Sequence, residues 1–249
     1  MSFLQDVEFI ISAQNVEEVW RLVAARLGQH GFDRVIYAFT RFKTERSYGD
    51  PQDALILTNH GNRYTDRFFG EAMYFNAPMV RWSAANVGAC SWNWVQENIS
   101  KLTPGELKVL EFNRSMGVTA GYTISFPHST YRARGAMALT AREGLDQAAV
   151  DAIWAEHGRE IHALCNVAHL KLMSLPYSGT RRELTKRQRE VLEWVGDGKT
   201  TQDIALIMGL TPATIEKHLR LAREALEVET TAQAVLKASM QNQIFRIES

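Results

Sequence analysis

Four threonines constrain the end of this chain more than any other feature. Thr185 is followed three residues on by Gln188, Thr200 by Asp203 and Thr230 by Gln233, while Thr211 is followed at once by Pro212. A threonine answered by a glutamine or an acid at that distance closes two orphan amides of a helix start. Proline in the first turn needs no partner for an amide it lacks. Four helix starts between residues 185 and 230 leave room for short helices only, which must bury their apolar faces against one another.

The helices expected at 201–208 and 212–226 are joined by Gly209-Leu210, the short glycine turn of a helix-turn-helix, and Ala205 is small where the two would cross. In the second helix Ile215, Leu219, Ala222 and Leu226 form an apolar face, and Glu216, Lys217, Arg220 and Arg223 fall opposite. Residues near the start of such a helix reach base edges in the major groove of double-stranded DNA. Arg220 suits guanine and Glu216 suits a cytosine amine. Thr200, Thr201, Thr211 and Thr214 sit at helix starts, where hydroxyls and free amides suit phosphates. The tail from Tyr177 holds 11 Lys/Arg against 10 Asp/Glu, so DNA contact here rests on placement of charge rather than its quantity. Spacing alone leaves a second reading open: a bundle for protein contact, its charges merely solvated.

A chain of 249 residues, 45% hydrophobic and 22% charged, can form two domains with real cores. No stretch approaches the ~18 apolar residues of a membrane span. The first residues carry acids where a signal peptide carries bases, so the expected location is the cytoplasm. Cys90 and Cys165 fit a reducing compartment. A proline, a glycine and a basic pair in Ser174–Glu183 mark a linker between a domain at 1–173 and one at 184–249.

The first domain reads as an α/β/α sandwich, making the whole chain α+β. Helical periodicity covers roughly 3–13 and 15–29. Strands are expected at 32–43, 54–58, 121–127 and 135–141, the last two a hairpin across the polar loop 128–134. Aromatic-rich helices lie between them at about 63–75, 77–87 and 104–116, and a long helix runs from about 145 to 173. That order suggests an antiparallel sheet between helical layers, followed by an all-α domain of four helices.

The segment from Leu184 to Leu219 resembles the DNA-binding domain of LuxR-type transcription regulators. Glu190 and Leu192, the GKT at 198–200, the IA pair at 204–205 and the HL pair at 218–219 carry the resemblance. It implies that Glu216, Lys217 and Arg220 read bases and that the last helix, about 230–241, pairs two such domains. Tyr64–Trp92 in turn resembles the autoinducer-binding domain of quorum-sensing regulators, which holds an acyl-homoserine lactone between sheet and helices. Pro78, Trp92 and Gly121 match that family's pocket. Tyr64 replaces a tryptophan that donates to the lactone carbonyl, Phe68 a tyrosine, and Ala77 an aspartate that accepts the ligand's amide hydrogen. Ala138 stands where a serine or threonine is usual. Each buried hydrogen bond lost in this way weakens a standard lactone by about 1 kcal/mol net or more.

Three readings of this atypical pocket follow. In the first, Tyr37, Phe39, Tyr64, Phe68, Phe75, Trp82 and Trp92, with Ala77, Pro78 and Gly121, line a pocket for a small hydrophobic or aromatic signal, with Thr123 or Ser125 as polar anchor. In the second, the aromatics fill the core and no ligand binds. In the third, a lactone binds in a shifted pose. The remaining signals are weaker. Glu156, His157, Glu160, His162 and His169 cluster on the long helix, but His157 falls on its apolar stripe and the acids on the wet face, against a metal site. Cys90 has no cationic neighbour in sequence to activate it. No nucleophile elbow or phosphate loop supports catalysis. The expectation is a homodimeric regulator on an inverted-repeat DNA site, with RNA polymerase as onward partner, no cofactor, no metal and no membrane. The long helix and the last helix are its expected dimer surfaces.

Overall fold

The computed structural model describes residues 2–44, 48–128, 130–177 and 182–245. Residues 178–181 of the expected linker and Ser129 of the expected hairpin loop lie outside the described residues. Two compact units form: Met1–Gly49 with Ala54–Met173, and Asp50–Asp53 with Ser174–Ser249.

The first unit opens with helices α1 (Phe3–Ser12) and α2 (Val16–Gln29), followed by strands β1 (Arg34–Thr40) and β2 (Leu55–Thr58). Helices α3 (Asn62–Phe68) and α4 (Pro78–Ala85) precede a short strand β3 (Gly88–Ser91), and α5 (Asn93–Glu97) and α6 (Pro104–Ser115) come next. Strands β4 (Gly121–Ser125) and β5 (Arg134–Thr140) lead into α7 (Gln147–Ser174). The sheet runs β2-β1-β5-β4-β3 with every neighbouring pair antiparallel. Side chains alternate across a strand. The register sets Ala138 opposite both Ile36 and Thr123, and Ala136 opposite Ala38 and Ser125. Those residues therefore share one face.

The other face carries Val35, Tyr37, Phe39, Tyr122, Ile124, Met137 and Leu139, all buried. Helix α7 covers it. His169 stacks on Phe126 with ring centroids 4.1 Å apart, and Trp154 stacks on Tyr122 at 4.0 Å. The Tyr37 hydroxyl meets His169 Nδ1 at 2.9 Å. Helix α1 joins the same layer, its Asp6 paired with Arg26 of α2 at 2.7 Å and the carbonyl of its Ile11 accepting from Lys171 of α7. On the opposite side Tyr64, Phe68, Val109 and Phe112 of α3 and α6 pack with Ala77, Val118, Ile36 and Trp92. The expected α/β/α sandwich is thus the observed one.

Two local expectations are corrected. The helix read over 63–75 ends at Phe68, and Ala72 turns left-handed (φ +55°) before a 3-10 turn at Met73–Asn76. Strand β3 was not foreseen, because Gly-Ala-Cys-Ser holds none of the β-branched or aromatic residues that mark strands.

The second unit contains α8 (Lys186–Gly196), α9 (Thr201–Met208), α10 (Pro212–Leu226) and α11 (Thr231–Met240). Thr185, Thr200 and Thr230 each form the full reciprocal capping box, and Thr211 accepts from the Thr214 amide. Gly209 takes φ +64° between α9 and α10, a conformation that disfavours any side chain. Val191, Leu192, Ile204, Ala205, Ile215, Leu219, Ala222 and Leu226 build the core, with Ala234 and Ala238 from α11. Lys237 of α11 donates to the Leu226 carbonyl at 2.9 Å, closing the end of α10. Leu175 and Tyr177, within the expected linker, are buried in this unit, where the Tyr177 amide donates to Gln241 O and Gln243 Nε2 to Tyr177 O.

Burial holds the pKa values of His60 and His169 down to about 4, so both are neutral in the folded chain near neutrality. Unfolded, each binds a proton below its ordinary value of 6.5. The stability they allow is therefore complete above that value and is lost as pH falls from there towards 4, at about 1.4 kcal/mol per pH unit per group. The thermal midpoint should drop over that window. His169→Phe, which keeps the stacking on Phe126 but cannot titrate, should make the decline shallower when followed by scanning calorimetry.

Candidate ligand cavity and DNA interface

The face of the sheet bearing Ala38, Ala136, Ala138 and Gly121 carries small side chains, so the helices above it cannot close the space completely. A cavity of about 110 Å³ remains. Ile36, Ala138 and Thr140 form its floor, Tyr64 and Phe68 of α3 with Leu110 and Asn113 of α6 one wall, and Ala77, Pro78, Met79 and Val80 another, with Trp92 beside them. Val95, Gln96, Val118 and Thr119 complete it, so the whole lining holds no carboxylate, imidazole, ammonium or guanidinium group.

Trp92 is the hinge of the arrangement. Its indole Nε1 donates to Thr123 Oγ1 at 2.9 Å, and its ring edge lies 3.0 Å from where a Cβ on Gly121 would stand. That same Cβ would meet Leu139 O at 2.1 Å, so only glycine fits. Tyr64 stacks between Phe68 and Phe112, with centroids 5.2 and 5.3 Å away, and its hydroxyl donates to Asn113 Oδ1 at 3.0 Å. Burial pushes the Tyr64 phenol pKa up, so the hydroxyl stays protonated. Ala77 caps α4 without any side-chain hydrogen bond and is 7% exposed.

Tyr64, Phe68, Ala77, Pro78 and Trp92 thus converge on the cavity as the sequence suggests, with Gly121 behind Trp92. Other expected residues lie elsewhere. Tyr37 and Phe39 have the opposite strand parity and pack against His169 under α7. Phe75 is 52% exposed and stacks on Tyr74, and Trp82 is half-buried outside the lining. Thr123 and Ser125 are on the correct face, but Thr123 holds Trp92 and Ser125 donates to Ser83 O at 2.9 Å. Neither hydroxyl reaches the cavity as an anchor. Asn113, Thr140 and Gln96 were not foreseen. Asn113 follows Phe112 on an ordinary amphipathic helix, and only the three-dimensional crossing of α3 and α6 brings it to Tyr64. Cys90 is no reactive thiol: burial, then Glu97, pushes its pKa up to about 11.

In the second unit, Glu216, Lys217 and Arg220 are exposed along one side of α10. Glu216 Oε1 accepts from Thr201 Oγ1 at 2.8 Å, which fixes the start of α9 against α10. Lys217 makes no ion pair among the described residues, while Arg220 pairs with Glu224. Arg223 instead turns to α11 and donates to Thr231 Oγ1 at 2.9 Å. The hydroxyls of Thr211 and Thr214 bond to each other at 2.9 Å, and that of Thr200 to Asp203 at 2.7 Å. The exposed positive charge on this side of α10 therefore belongs to Lys217 and to Arg220, which Glu224 holds in an exposed ion pair.

Residues 15–172 match the autoinducer binding domain, and residues 182–238 match the bacterial regulatory proteins of the luxR family. The chain belongs to the LuxR family of autoinducer-binding transcription regulators. It is a regulator rather than an enzyme. It is 24% identical over 231 residues to the transcriptional activator protein AnoR of Acinetobacter nosocomialis, covering 91% of this chain and 92% of that one. To the transcriptional activator protein LuxR of Aliivibrio fischeri it is 25% identical over 195 residues, 75% of this chain and 73% of that one. Escherichia coli SdiA shares the fold with a TM-score of 0.56 at 16% identity, over 98% of each chain. A second SdiA structure, in complex with octanoyl-rac-glycerol, gives 0.55 at 16% identity over 98% of this chain and 96% of that one. CepR2 of Burkholderia cenocepacia, described as N-acylhomoserine lactone dependent, gives 0.54 at 18% identity over 69% of this chain and 93% of that one.

Among the described residues no cluster could hold a metal ion, and no helix is long and apolar enough to cross a membrane. The geometry makes one sharp demand on this LuxR-type domain. Gly121→Ala must push apart Trp92, Leu139 and their strands, and should destabilise the chain by about 2 kcal/mol or more. A denaturant midpoint unchanged from the parent protein would refute the close packing of Trp92 on β4.

Proposed function

We propose that this LuxR-family chain is a cytoplasmic regulator that binds an inverted-repeat DNA site as a homodimer. Its first unit takes a small hydrophobic or aromatic signal other than a standard acyl-homoserine lactone. Ala77 carries the second statement. It stands where the family places the carboxylate that accepts a lactone's amide hydrogen, and it presents a methyl group to the cavity. The complex of SdiA with octanoyl-rac-glycerol supports the reading, since that ligand has neither lactone nor amide. A reading without any ligand draws on the small volume of the cavity, about 110 Å³.

Dimerisation follows from the DNA geometry, because two recognition helices about one DNA turn apart need a two-fold axis. Exposed leucines support α7 and α11 as the paired surfaces: Leu170 is 65% exposed and Leu236 57%. RNA polymerase is the onward partner in this reading. Arg220 releases Glu224 to meet a base edge, Lys217 adds a phosphate or base contact, and the threonines at the starts of α9 and α10 lie against phosphates.

Arg220→Ala should weaken operator binding by about 1–3 kcal/mol and relax one base preference, as read by gel shift on operator and scrambled fragments. Equal loss on both fragments would make Arg220 a phosphate contact only. N-acyl-homoserine lactones at about 10 µM should leave the thermal midpoint in place, because stabilisation by a ligand requires it to exceed its Kd. A clear rise with any of them sinks the non-lactone clause.

A further inference from the structure

We propose that Asn113 is the polar anchor of the cavity, and that the cavity takes a compact, uncharged ring bearing one hydrogen-bond acceptor. This rests on the reading of the first unit as signal-binding and specifies the chemistry of that site.

Size sets the first limit. The cavity measures about 110 Å³. An apolar cavity of ~150 Å³ holds benzene, whereas pockets for larger ligands begin near ~300 Å³. A single ring of about six atoms is therefore the natural occupant, and a ring with a long acyl chain is too large.

Charge sets the second. The lining holds no charged group, so a carboxylate or an ammonium would enter without a counter-ion. Burying an unpaired charge is far more costly than burying a neutral polar group with one partner.

Hydrogen bonding sets the third. Trp92 Nε1 is committed to Thr123. The Tyr64 hydroxyl is committed to Asn113, and the Thr140 hydroxyl lies 3.4 Å from His60 Nε2. Gln96 and Thr119 are exposed. Asn113 is half-buried, and while its Oδ1 accepts from Tyr64, its Nδ2 makes no hydrogen bond among the described residues. The free end of this amide is a donor held in place by its other end. Tyr64 is itself packed against the rings of His60, Phe68 and Phe112, which orders the donor before a ligand arrives. A carbonyl or ether oxygen on the ring completes it.

The test compares cyclohexanone with methylenecyclohexane, which has the same shape without the oxygen, and with benzoate, using titration calorimetry on the full chain. Cyclohexanone should bind more tightly than methylenecyclohexane, and benzoate should not bind. Asn113→Asp keeps the acceptor for Tyr64 and the side-chain size but loses the donor. It should weaken cyclohexanone by about tenfold or more beyond whatever the added charge costs methylenecyclohexane. Equal affinities of the two rings for the parent protein overturn the anchor without recourse to any variant. Equal weakening of both by Asn113→Asp reduces Asn113 to a structural residue. If a monoacylglycerol or an acyl lactone binds and the rings do not, the compact-ring inference falls while signal binding stands. If no compound binds and operator binding is complete without any, signal binding itself falls, and the inference with it.

Discussion

The first unit depends on the alternation along β5 and its neighbours. Met137 and Leu139 point to one side of the sheet and Ala136 and Ala138 to the other, and β1 and β4 follow the same parity. Large side chains on one face fill the space beneath α7, where His169 stacks on Phe126 and Trp154 on Tyr122. Small ones on the other face leave room beneath α3 and α6, and that room is the cavity. One sheet thus supplies both a dense core and a hollow, and a slip of one residue in register would exchange them. Stability and binding are separated by strand parity, which is why ligand chemistry can change without rebuilding the core.

Around that hollow a few polar groups act on one another rather than on solvent. Gly121 lets the ring edge of Trp92 approach β4, and Thr123 accepts the indole proton that burial would otherwise leave unpaired. Tyr64 and Asn113 do the same across α3 and α6. The second unit uses a parallel device at its surface, where threonine hydroxyls close each helix start and Thr201 ties α9 to Glu216 of α10. That bond takes one carboxylate oxygen of Glu216. Lys217 and Arg220 are left as the adaptable part of the exposed side, with Arg223 turned towards α11.

The helix starts of the second unit were legible because a capping box is local: residues three apart decide it whatever the rest of the chain does. The turn at Gly209 was legible for the same reason. Tyr64, Phe68, Ala77, Pro78 and Trp92 could be placed only through the family resemblance, and the structure brings all five to one cavity. Tyr37 and Phe39 show where composition misleads. Aromatic residues mark a well-filled face, while a cavity forms over alanines and glycine, so the informative signal was the alternation of Ala136 and Ala138 with Met137 and Leu139 in β5. Asn113 had no local signature at all, since its role comes from a contact with Tyr64, 49 residues away.

Ala77 has a consequence for the unliganded protein. A carboxylate at this 7% exposed position would face an uncharged lining, and without a ligand amide it would bear the cost of a buried, unpaired charge. A methyl group bears none, and it adds apolar contact with the cluster of Tyr64, Phe68 and Val109. On the proposed reading, the alanine that leaves a standard lactone's amide without an acceptor also spares the domain the cost of that unpaired carboxylate. Any ligand of the cavity would add the stabilisation that its concentration relative to Kd allows.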